Sequence, residues 1–147
     1  MTAENKNALL YICTLVEFLS RKLKRPHREI LDRISRQTFR RLMRDAGVNH
    51  CLPLEQVADE LIPQLELTEG RYDVSAKCRY KLPSPETVGG LYQRLILAVL
   101  HEADLYDTFR SVFTSFIPEK VADFNSAFYY ANPDYIRASY EAGPVLA

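Results

Sequence analysis

Residues 7–24 are apolar around almost the whole circumference of a helix: Leu9, Leu10, Ile12, Cys13, Leu15, Val16, Phe18, Leu19 and Leu23 leave almost no polar face. A helix of that kind must be covered on several sides, which places it at the centre of whatever the chain builds. A bilayer span needs about 20 apolar residues. The run from Leu9 to Leu19 is shorter, is interrupted by Glu17, and is not followed by a small-residue cleavage site. It therefore reads as a core helix, with no membrane association. The basic run Arg21-Lys22-Leu23-Lys24-Arg25 suits the negative end of the helix dipole, and Pro26 follows as a stop.

The remaining segments mostly repeat the helical period. Ile30, Leu31 and Ile34 form one apolar set; Ser35 is placed to cap a segment carrying Phe39, Leu42, Met43 and Ala46, which Gly47 is expected to stop. Whether 27–46 is one helix or two is open at this point. Pro53 opens a short helix with Leu54, Val57, Ala58, Leu61 and Ile62, and Pro63 ends it. Ser84-Pro85-Glu86 is an N-terminal signature, and Val88, Leu91, Tyr92, Leu95, Ile96, Val99 and Leu100 follow on one face. Gly89-Gly90 inside that helix offers a place for a second backbone to come close. Further amphipathic runs carry Phe109, Val112 and Phe113, then Val121 and Phe124, and Asn132-Pro133 introduces a last short helix with Tyr135, Ile136 and Tyr140.

One stretch breaks the pattern. Tyr72, Val74, Ala76, Cys78, Tyr80 and Leu82 alternate with Arg71, Asp73, Ser75, Lys77, Arg79 and Lys81. Period-two alternation predicts a strand with one buried and one wet, basic face. A strand needs a partner for its backbone, and the nearest candidate is Gln64–Leu67, joined through Thr68-Glu69-Gly70. The expected fold is mainly α, a single domain of roughly six or seven helices with a small antiparallel β-hairpin at about residues 64–82.

The composition, 47% hydrophobic and 26% charged, is that of a globular chain, and 147 residues suffice for one domain. The formal net charge is zero, yet residues 1–51 carry eleven Lys/Arg against five Asp/Glu, and residues 83–147 carry four against eight. A zero total argues against strong non-specific nucleic-acid binding by the whole molecule, while a basic face on the first half can still dock an anion. The halves can also attract each other, within the fold or across a dimer. The three cysteines form no CxxC pair and leave one over after any disulfide, which suits reduced thiols in a cytosol. Cys13 and Cys78 both fall on apolar faces, where they read as small buried hydrophobes.

Three stretches carry a family resemblance: Val88-Gly89-Gly90-Leu91-Tyr92-Gln93-Arg94-Leu95-Ile96, Asp123-Phe124-Asn125-Ser126-Ala127-Phe128-Tyr129-Tyr130 and Asp134-Tyr135-Ile136. With them, the segment from Leu82 to Gly143 resembles a family of small uncharacterised bacterial proteins from gut anaerobes. The first 64 residues more loosely resemble another small helical bacterial module. The resemblance implies a bacterial cytosolic setting and assigns no site residue.

Four constellations bear on function. Arg33, Arg36, Arg40 and Arg44 recur at helical spacing beside Arg41, and Arg71, Lys77, Arg79 and Lys81 line the wet face of the expected strand. A helix followed by a basic hairpin is the order of a winged helix, which would make Arg33, Arg36, Arg40, Arg44, Lys77, Arg79 and Lys81 the nucleic-acid contacts. Against it, the helix just before the hairpin carries Glu55, Asp59 and Glu60. Arg44 and His50, with five residues between them, resemble the Arg/His signature of a class of helical ribonucleases, though Gly47 and Pro53 place His50 in a loop. His50, Cys51, Cys78 and His101 lack chelating spacing, so no metal is inferred, and nothing points to a cofactor or small-molecule ligand.

Last, ten of the sixteen Phe and Tyr residues follow Asp104. The phenylalanines suit a core; Tyr129, Tyr130, Tyr135 and Tyr140 suit a protein interface, where a ring buries much area at low entropic cost. With no catalytic motif, the leading expectation is a non-catalytic interaction module, self-associating or binding a partner protein. Nucleic-acid binding is the alternative and ribonuclease activity a remote one.

Overall fold

The computed structural model describes residues 1–74, 78–79 and 81–144. Among them are eight helices: α1 (Ala3–Leu23), α2 (His27–Leu31), α3 (Arg36–Asn49), α4 (Leu54–Gln64), α5 (Pro85–Val99), α6 (Leu105–Thr114), α7 (Ile117–Ala122) and α8 (Pro133–Ala142). The segment 27–46 is thus two helices, and the helix count exceeds the six or seven expected.

The apolar-all-round helix is central, as its sequence requires. Leu9, Ile12, Cys13, Leu15, Val16 and Leu19 of α1 are almost wholly buried. The helix packs chiefly on α5, with α2, α3 and α4 around its other sides. Gly89 brings the two main helices together: a Cβ there would lie 2.5 Å from Thr14 Oγ1 and 2.8 Å from Thr14 N on α1. Below this contact an aromatic layer of Tyr92, Phe109, Phe113 and Phe39 joins α5, α6 and α3, with Tyr92–Phe113 and Phe39–Phe109 centroids 4.4 and 4.7 Å apart. Edge-to-face and tilted packing of this kind adds to what ring burial alone contributes.

Local signals place most helix starts. Ser35 Oγ accepts from Thr38 N, Ser84 Oγ from Thr87 N, and Asn132 Oδ1 from Asp134 N. Two stop signals read differently. Gly47 does not end α3, which runs on to Asn49, and Pro63 sits in the last turn of α4. Gly47 does not take the left-handed conformation with which a glycine closes a helix.

The β-hairpin is absent: the described residues of 64–82 contain no strand. Of the alternating positions, Ser75, Ala76, Lys77 and Tyr80 lie outside the described residues. The physical reason lies in the intended partner. Gln64 ends α4, Glu66 takes a left-handed conformation at φ 54°, and Leu67 N donates back to Ile62 O at 3.0 Å. Residues that close a helix in this way cannot also present a ladder. The backbone beyond is satisfied by the end of α1 instead. Gly70 N donates to Leu23 O at 2.6 Å and Tyr72 N to Lys24 O at 2.8 Å. Arg25 clasps the same loop, donating from Nε to Thr68 O at 2.9 Å and from Nη2 to Thr68 Oγ1 at 2.8 Å. Among the described positions of the alternation, Tyr72, Val74, Cys78 and Leu82 are half-buried.

Candidate interaction site

The four tyrosines separate into an inner and an outer pair. Tyr129 and Tyr140 are half-buried, and burial pushes both hydroxyls up from their ordinary value. Tyr129 packs edge-on to Phe124 at 5.1 Å and to Tyr130 at 4.9 Å. Tyr130 and Tyr135 are the outer pair, 59% and 45% exposed, among the few large hydrophobics at the surface. Turns spanning 123–132 present them: Ser126 Oγ donates to Asp123 O, and Asn132 caps α8 one turn before Tyr135. Tyr135 borders a groove of about 600 Å³ whose walls include Phe128, Ala131, Glu119, Lys120 and Asp123. A narrower cleft of about 260 Å³ lies between α5 and α8, with Leu91, Leu95, Tyr129 and Ile136 along it and Arg94 and Arg137 at its edge.

The arginines of α3 also fall into two sets. Arg36 turns onto the second half of the chain, where Nη1 meets Asp104 Oδ1 at 2.6 Å and Nη2 meets Asp107 Oδ1 at 2.7 Å. Its guanidinium lies 5.0 Å from the centroid of the Tyr106 ring. Arg33 reaches Glu66 at 3.6 Å. Arg40, Arg41 and Arg44 face outward. Arg44 is held by its neighbour Asp45 at 2.9 Å, Arg41 donates to Gln64 at 3.2 Å, and Arg40 forms no ion pair with a described residue. Val48, 72% exposed, and Leu52 add an apolar end to this outer face.

The basic wing has no strand to carry it. Lys77 lies outside the described residues; Arg79 is fixed through its backbone N–H, which donates to Asn125 Oδ1 at 2.8 Å, and Lys81 is exposed. Since α3 runs on through Gly47, His50 is not in a loop but forms the C-cap of α3, its ring edge-on to Tyr11 at 5.7 Å. Six positions along a helix place Arg44 and His50 about 120° apart around the axis. Among the described residues no three His, Cys, Asp or Glu side chains group so as to hold a metal ion. Nor is any helix there long and apolar enough to cross a membrane.

Sequence reasoning passed over a buried ionic cluster. Glu17, on α1, is 3% exposed; its Oε1 lies 2.7 Å from His27 Nε2 and its Oε2 2.7 Å from Arg21 Nε. Burial alone would push the carboxyl up, but the charges and hydrogen bonds of His27 and Arg21 outweigh it and hold Glu17 below its ordinary value. His27 stacks on Phe113 at 5.8 Å, and Arg21 lies over Phe124 at the same distance. The cluster fastens α2 to α1, with the Glu17 and His27 side chains both buried. The signal for it was Glu17 interrupting an apolar run, four residues before Arg21.

No protein-family model, curated protein or solved structure matches the chain. The surface geometry is therefore what bears on function.

Proposed function

We propose that the chain is a non-catalytic interaction module that binds protein through the surface around Tyr130 and Tyr135. The observation that carries this reading is the exposure of Tyr135 on an open groove also walled by Phe128, with a second exposed tyrosine, Tyr130, five residues before it in the chain. Exposed aromatics grouped next to a concavity are costly to leave in water and are the residue type most enriched at binding hot spots. The expected behaviour is a particle heavier than the 16.9 kDa chain in sedimentation, alone or with a bound protein. Tyr130→Ala with Tyr135→Ala should weaken the association by about 2 kcal/mol, roughly thirtyfold. A monomer at all concentrations that retains no protein contradicts it.

A second reading is nucleic-acid binding through the outer face of α3, supported by the exposure of Arg40, Arg41 and Arg44 along one side of the helix. Its mark is retention of RNA or DNA in a filter assay that falls steeply with salt and is lost in Arg40→Glu; binding that ignores salt contradicts it.

A further inference from the structure

We propose that the partner of the tyrosine surface is the outer face of α3 on a second copy of this chain, and that the copies associate head to tail. This rests on the tyrosine surface being an interface.

The chain already contains the chemistry of such a contact once. Arg36, at the start of α3, is gripped by two carboxylates, Asp104 and Asp107, and lies over the ring of Tyr106. An arginine held by acids on the face of a tyrosine is a contact in which the hydrogen-bonding fork and the cation–π attraction act together. Arg40 and Arg44 continue the same helix at intervals of one turn, pointing outward, and Val48 follows them. The groove at Tyr135 offers the matching set: Glu119 and Asp123 against a single Lys120, with the exposed Tyr135 in its wall. Arg28 reaches Glu119 at 3.5 Å, a loose and exposed pair that leaves its carboxylate open to a second cation. Arginine and tyrosine are the residue types that dominate binding energy at interfaces. A formal net charge of zero removes the repulsion that would otherwise oppose contact between copies.

The fold decides the symmetry. Helix α3 leans on α1 and, through Arg36 and Phe39, on α6, whereas α8 leans on α5. The two faces are therefore built on different elements, α3 for one and α7 with the start of α8 for the other. A contact that uses one face from each copy leaves the other two faces unused, so association continues instead of closing as a pair.

Sedimentation and light scattering of the full chain over a range of concentration and salt test this. The expected result is a mean mass that keeps rising with concentration, with association roughly tenfold weaker or more at high salt. Arg40→Glu with Arg44→Glu, and Tyr130→Ala with Tyr135→Ala, should each be monomeric alone, with unchanged circular dichroism. Mixed together they should form a one-to-one dimer and stop, since each supplies the face the other lacks. A closed dimer that survives Arg40→Glu/Arg44→Glu but not the tyrosine changes overturns the head-to-tail contact and leaves the tyrosine interface standing. A monomer that captures a different protein through the tyrosines, or one whose α3 face instead retains RNA in a salt-dependent manner, overturns the proposal as well. Loss of binding of every kind overturns both readings.

Discussion

Glu17 is the residue on which the interior turns, a carboxylate inside a helix whose other neighbours are Leu, Val and Phe. Arg21 and His27, each at hydrogen-bond distance of 2.7 Å, hold it there. Removing one member of such a buried pair costs about 3–5 kcal/mol, because the remaining charge is left without compensation. Glu17→Gln is accordingly expected to lower the unfolding free energy by an amount in that range, read from denaturant titrations. The pH dependence has a definite sign. The carboxyl is held below its ordinary value in the folded state. Its stabilisation is therefore complete above the unfolded value of about 4.3 and is lost as the pH falls through the lowered folded value. The gap between wild type and Glu17→Gln should close as the pH falls through that lowered folded value. A gap that widens on acidification contradicts the arrangement. Cys13 nearby behaves as a hydrophobe, with burial pushing its thiol up and away from reactivity.

Among elements, the contact of α1 with α5 organises the rest, and two neighbouring glycines play opposite parts in it. A side chain at Gly89 would meet the backbone and hydroxyl of Thr14, whereas at Gly90 the nearest atoms are the flexible end of Arg94 at 3.5 Å and Leu10 Cδ1 at 4.0 Å. Gly89→Ala should cost about 1–3 kcal/mol by forcing the helices apart. Gly90→Ala should gain about 0.5–1 kcal/mol from helix propensity alone. Equal thermal shifts in the two variants would show that the close approach is not at Gly89. Most of this level was legible in the sequence: Ser35, Ser84 and Asn132 cap where their side chains and spacing say they should. The segment after α4 was not. Its alternation of apolar and charged residues is real, but Arg25 and the last carbonyls of α1 take the backbone groups that a partner strand would have used.

At the scale of the whole molecule, part of the charge split of the sequence is used inside the fold. Arg36 to Asp104 and Asp107, and Arg28 to Glu119, join the basic first half to the acidic second half, while Arg110 to Asp32 joins the halves with the signs reversed. These exposed bridges add little stability singly and are screened by salt. What they leave over, the outward arginines of α3 and the tyrosine rim of the groove, is where binding between molecules is expected to act, with the salt response and mixing behaviour described above. The sequence by itself determined the helical class, the central place of α1 and most helix starts, because periodicity and capping are local and act through a few neighbouring residues. It also marked the tyrosines of the last quarter as a group. Only the tertiary structure decided that Tyr130 and Tyr135 face out while Tyr129 and Tyr140 turn in, that Arg36 is consumed within the fold while Arg40 is not, and that residues 64–74 lie against helices. Each of those outcomes depends on which distant group reaches a given atom first, and that competition is settled only when the helices have packed.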